Sequence, residues 1–93
     1  MDESEAISAL RALGEATRLR LMLLLVNATE PLPAGSIAEK LQVRQNTLSA
    51  HIAILARNDL ILGHRQGRNI LYACNPRTAQ RLKNYLAQSL CKG

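Results

Sequence analysis

The chain has 93 residues, a net charge of +5 and a pI of about 9.9, and 47% of it is apolar. That length holds one small domain whose modest core would be helped by self-association, and the charge suits a polyanionic partner. There is no Trp or Phe, and Tyr72 and Tyr85 are the only aromatic residues, so base stacking on aromatic platforms is disfavoured as a binding mode.

The distribution of charge says more than its total. Asp2, Glu3 and Glu5 crowd the N-terminus and no acidic residue follows Asp59, whereas Arg65, Arg68, Arg77, Arg81, Lys83 and Lys92 do. A solvated basic face would account for this bias, and so would a nucleic-acid surface; the clustering at Arg65 and Arg68 favours the second. The apolar run Leu21–Val26 is six residues, about a third of what a membrane-spanning helix needs, and no signal-peptide pattern precedes it. A cytoplasmic protein with no membrane partner is expected, with Cys74 and Cys91 as reduced thiols.

In chain order, Ser4–Leu13 reads as an amphipathic helix with Ala6, Leu10 and Leu13 on one face, Ser4 at the N-cap and Gly14 ending it. Glu15–Val26 is a second helix, apolar nearly all round from Leu19, which predicts a central buried helix. Asn27–Pro33 has two prolines and no periodicity, and reads as a loop. Ala34–Leu41 is a third helix with Ile37, Ala38 and Leu41 inward, Ala38 being small enough for a close helix crossing.

Gln42 and Val43 form a turn into a helix from about Gln45 to Asn58, whose buried face is Leu48, Ile52 and Leu55. Its opposite face carries Gln45, Asn46, Ser49, Ala50, Ala53 and Arg57. Small polar groups near a helix N-terminus suit groove insertion, because amides and hydroxyls meet base edges and phosphates without steric conflict. Ile61–Arg65 and Asn69–Ala73 alternate as two strands joined by Gln66-Gly67-Arg68, with His64 beside the basic pair Arg65 and Arg68. Pro76 opens a last helix with an apolar stripe of Ala79, Leu82, Leu86 and Leu90, flanked by Tyr85. That stripe serves either as a dimer surface or as packing on its own domain.

A short helix, a turn, a helix with a polar outer face and then a basic hairpin is the layout of a winged helix-turn-helix. The expected architecture is mainly α with a small β-hairpin, about five helices, dimeric, in one domain over residues 1–93. The helix-turn-helix falls at about 34–58, the wing at about 61–73 and the dimerisation helices at about 4–13 and 76–91.

Four blocks carry a family likeness: Leu13-Gly-Glu-Ala-Thr-Arg-Leu-Arg-Leu, Ile37-Ala-Glu-Lys-Leu, Asn46-Thr-Leu-Ser-Ala-His-Ile-Ala-Ile-Leu and Arg65-Gln-Gly-Arg-Asn-Ile-Leu-Tyr. Over about residues 6–90 the chain resembles the ArsR-type (arsenic repressor and metal sensor) transcriptional regulators. The resemblance implies a homodimer built from the first and last helices, with Leu10, Leu82, Tyr85, Leu86 and Leu90 at its interface. It implies two recognition helices reading a palindromic operator on double-stranded DNA, and a repressor that releases DNA on binding an inducer. Gln45, Asn46, Thr47, Ser49 and His51 then fall on the recognition helix, and Arg65 and Arg68 on the wing. Arg44 stands where many members have a capping Ser, so either it turns outward to a phosphate or Asn46 helps to cap. His51 is balanced between DNA contact and structural packing, and family turns often have Gly where this chain has Gln42.

The family's usual inducer sites are missing from this sequence. Where relatives place Cys-Val-Cys in the helix before the recognition helix stand Pro33, Ala34 and Gly35, and the last helix, Arg77–Leu90, contains no Asp, Glu or His. Cys91 falls where some members carry thiols for trivalent arsenic, an ion that favours a set of sulfur donors. Cys74 and Cys91 are held roughly 20 Å apart by the last helix, at about 1.5 Å per residue. An arsenite or thiol-redox response through Cys91 is thus the open alternative for the signal, with Cys74 read as a small buried hydrophobe. The competing function is a winged-helix protein-interaction module without operator binding. An enzyme has no support: no acid pair in a cleft, no nucleophile arrangement and no phosphate-cradling glycine loop.

Overall fold

The computed structural model describes residues 1–91; Lys92, counted above with the basic residues, lies outside the described residues. The elements in chain order are α1 (Glu3–Leu13), α2 (Ala16–Asn27), β1 (Leu32–Pro33), α3 (Ala34–Leu41), α4 (Gln45–Arg57), β2 (Ile61–Gln66), β3 (Asn69–Cys74) and α5 (Pro76–Leu90). The strands form one antiparallel sheet in the order β1-β3-β2. Leu21 of α2, Ile37 of α3, Leu48 and Leu55 of α4, and Leu60 and Ile61 at the entry to the wing are fully buried. Each adds about 1.5–3 kcal/mol relative to an exposed side chain.

The first two helices differ from the pattern-based reading in instructive ways. α1 is capped by Asp2 and not by Ser4: the Asp2 side chain accepts the Glu5 N–H at 2.7 Å, and Glu5 accepts the Asp2 N–H at 3.2 Å. The reciprocal box needs a carboxylate or amide three residues after the cap, and Ser4 would have Ile7 there. The inner face of α1 is Ala6, Ala9 and Ala12, while Leu10 is 43% exposed. Alanines let α1 lie close against its neighbours, so side-chain size decided the face where bulk alone had suggested Leu10. α2 touches α1, α3, α4 and β3, but it is not buried all round. Leu21, Met22 and Leu25 point inward, and Leu19, Leu23 and Val26 form a stripe that is 44–50% exposed.

Two left-handed residues define the helix-turn-helix and its exit. Gln42 (φ 56°) ends α3, with Gln42 N–H to Glu39 O and Val43 N–H to Ala38 O. Asp59 (φ 57°) follows α4, with Asp59 N–H to Ala56 O and Leu60 N–H to Leu55 O. Both are Schellman closures without the usual glycine. The second swings the chain into β2 and drives Leu60 and Ile61 into the core.

The wing pairs Ile61↔Cys74 through Gln66↔Asn69, leaving Gly67 and Arg68 as a two-residue turn with Gly67 at φ 64°. Across the ladder Gly63 faces Tyr72, whose ring covers it: a Cβ at residue 63 would stand 3.0 Å from Tyr72 Cε1. The segment read as a loop contributes β1, pairing Leu32↔Tyr72 and Pro33↔Leu71. Two residues show no periodicity, and Pro33 fits here because β1 is an edge strand that can lack one donor.

Candidate nucleic-acid interface

Arg44, Gln45, Asn46, Thr47 and Ser49 are all exposed at the N-terminal half of α4. No side chain of the described residues caps this helix at Arg44. Asn46 Oδ1 accepts the Thr47 N–H at 2.8 Å, so Asn46 does satisfy a first-turn donor. Ser49 Oγ donates to Gln45 O at 3.0 Å, which leaves the Ser49 oxygen as an acceptor on the outer face.

Arg65 and Arg68 are exposed on the wing, Arg65 opposite Ile70 in the ladder and Arg68 in the turn. A cleft of about 720 Å³ separates the wing from the starts of α3 and α4. Gln45 and Arg68 line it together with Ser36, Glu39, Asn69 and Tyr72, residues that the sequence reading had not picked out. Asn69 could have been found from its place beside the turn; Ser36 and Tyr72 depend on which elements face each other. Gly35 makes room for the Gln45 side chain, since a Cβ there would stand 3.2 Å from Gln45 Nε2.

His51 is separate from this surface. Its side chain is 17% exposed and turned to the corner between α1 and α2, with Nδ1 3.3 Å from Arg18 Nη1 and 3.7 Å from Glu15 Oε1. Arg18 also donates from Nε to Ala12 O at 2.6 Å. The Arg18 backbone N–H, donating to Glu15 Oε1 at 3.0 Å, is the main reason the Glu15 carboxyl lies below its usual value of 4.5; desolvation opposes it, and the charges of His51 and Arg18 add to it.

The remaining candidates do not line this cleft. Leu10 and Leu90 are exposed at 43% and 76%, Tyr85 and Leu86 are half-buried, and Leu82, at 7%, belongs to the chain's own core. An apolar groove of about 460 Å³ runs between α1, α2 and α5, lined by Leu13, Met22, Leu82, Leu86 and Cys91. Cys91 is the exposed thiol at the C-cap of α5, and Cys74 is half-buried at the end of β3. Among the described residues no three His, Cys, Asp or Glu side chains converge as a metal site would require.

A family model described as a helix-turn-helix domain matches residues 13–64. The chain is 30% identical over 83 residues to the transcriptional repressor SdpR of Bacillus subtilis, a match spanning 89% of this chain and 90% of SdpR. An ArsR-like transcriptional regulator from Rhodococcus sp. RHA1 superposes with a TM-score of 0.81 over 91% of this chain and 78% of that one, at 24% identity. The chain belongs to the ArsR family. The homodimeric winged helix-turn-helix DNA-binding domain from Mycobacterium bovis, a possible ArsR-family regulator, shares the fold at 20% identity, with a TM-score of 0.76 over 92% of this chain and 79% of that one. ArsR membership makes the chain one of a group of transcriptional regulators with a helix-turn-helix DNA-binding domain, not of enzymes. The five helices and basic wing are the winged helix-turn-helix expected from the sequence, with β1 as an added third strand.

Proposed function

We propose that this ArsR-family chain is a cytoplasmic, sequence-specific repressor of its own operon, acting as a homodimer on a palindromic operator. The observation that carries this reading is the cleft in which Gln45 of α4 and Arg68 of the wing line one concave polar surface. Such a surface suits a duplex held in its major groove and on its flanking backbone at once. Gln45, Asn46, Thr47 and Ser49 read base edges, while Arg44, Arg65 and Arg68 neutralise phosphates. Repression is favoured by the likeness to SdpR. Self-association is favoured by the exposed Leu10 and Leu90, by the apolar groove between α1, α2 and α5, and by the homodimeric M. bovis fold relative.

Fluorescence anisotropy on the chain's own promoter, titrated with salt, tests this reading. Affinity should fall steeply as salt rises through release of counterions from phosphates. Binding insensitive to salt, or equal on promoter and shuffled DNA, would count against it. Charge reversal at Arg65 and Arg68 should abolish DNA binding, whereas a protein-docking module would survive it. For the signal, arsenite, zinc and a mild thiol oxidant are titrated onto the operator complex, with Cys91→Ser alongside. Release in the wild type alone would assign sensing to Cys91; equal release in both would exclude thiol sensing there.

A further inference from the structure

Arg18 does not line the cleft between α4 and the wing, yet it ties three helices together. Its Nε donates to Ala12 O at the end of α1, its own backbone begins α2, and its Nη1 meets His51 Nδ1 on α4. Leu48, Ile52 and Leu55, the buried face of α4, are apolar, and apolar burial is non-directional. A helix held that way alone keeps freedom to roll and slide. A hydrogen bond from a guanidinium anchored on the α1–α2 corner supplies the missing direction, at a residue two positions from Ser49.

A hydrogen bond between Arg18 and His51 requires one ring tautomer. Arg has only donors, so Nδ1 must offer a lone pair and the ring must carry its proton on Nε2. When Nδ1 is protonated that acceptor is lost, a cation stands beside the guanidinium, and Glu15 Oε1, 3.7 Å away, becomes the partner of the ring. Glu15 at the N-cap of α2 and Arg18 within α2 are the charged groups at His51 among the described residues; α1 enters through the Ala12 carbonyl. Arg11 of α1 lines the shallow neighbouring cleft with Arg18.

We propose that Arg18 is a positioning residue for operator recognition: through neutral His51 it fixes the pose of α4, and protonation of His51 releases that hold. The inference rests on the DNA-binding reading above. Its test is operator affinity by anisotropy from about pH 5.5 to about pH 8.5. A His64→Gln background removes the second histidine, which sits on the wing. That reference should weaken about tenfold towards the acid end, the scale of one charge-assisted hydrogen bond. Arg18→Met should bind about tenfold more weakly at neutral pH, with its pH slope gone. His51→Asn sets an amide oxygen where Nδ1 stood and does not titrate, so its affinity should lose the pH slope.

A slope retained in His51→Asn overturns the proposal, even where Arg18→Met fails to fold. So does a folded Arg18→Met that binds like the reference. In the free protein, 15N spectra should find the neutral His51 proton on Nε2; a proton on Nδ1 overturns the pairing whatever the DNA result. A reference that binds no operator at all overturns the DNA reading and this role with it. Indifference to Arg18 in a chain that does bind overturns this role alone.

Discussion

Individual side chains divide the proposed DNA-facing surface into two kinds of work. Gln45, Asn46 and Ser49 offer amide and hydroxyl groups, and Ser49 offers mainly an acceptor because its proton is committed to Gln45 O. Gln45→Ala or Ser49→Ala should change base preference in an operator-variant selection, with little effect on the salt slope. Arg65→Ala and Arg68→Ala should each weaken all sequences alike and lower the salt slope by about one. The backbone sets a second residue-scale test. Gln42 holds φ 56°, a conformation that costs a side-chain-bearing residue roughly 1–2 kcal/mol. Gln42→Gly should therefore raise stability by about 1 kcal/mol in urea melts, after its greater unfolded-state entropy offsets part of the relief. Gln42 thus occupies a left-handed position that a glycine would hold without strain.

The helix ends carry the element-scale arguments. The capping box at Asp2 and Glu5 holds the first turn of α1. Asp2→Ala should lower stability by about 1 kcal/mol. At the start of α2, Glu15 has a folded pKa below its usual 4.5, chiefly through the Arg18 N–H. A depressed carboxyl pKa stabilises the fold above the unfolded value, and the contribution is lost as pH falls through the folded one. The stability difference between wild type and Glu15→Gln should thus be largest above about pH 4.5 and shrink in more acid solution, as followed by urea melts.

For the whole molecule, the question is which apolar surface is left over once one chain has folded. Leu82 is spent on the chain's own core, whereas Leu10 and Leu90 remain exposed. Leu10→Asp and Leu90→Asp should leave the melting of the single chain nearly unchanged while shifting sedimentation equilibrium to monomer and lowering operator affinity. Leu82→Ala should instead unfold the chain more readily, by about 2–5 kcal/mol, as a core truncation does. The same distinction explains the exposed stripe of Leu19, Leu23 and Val26. Their apolar run reads as a buried helix only if every side has a neighbour, and one chain supplies neighbours to part of it.

The sequence by itself determined the helix pair, its turn and the wing. Their signals are local: Leu48, Ile52 and Leu55 repeat with the helical period, the strands alternate, and Gly67 marks the hairpin turn. It also determined which residues carry amide, hydroxyl and guanidinium groups on those elements. Tertiary structure decided what faces what. It chose the alanine face of α1 over Leu10, recruited Leu32 and Pro33 as a third strand, and set Tyr72 over Gly63. It turned His51 away from the polar surface and onto Arg18, 33 residues earlier in the chain. Each of these depends on the size and direction of a group from another element, and no period along one segment contains that information.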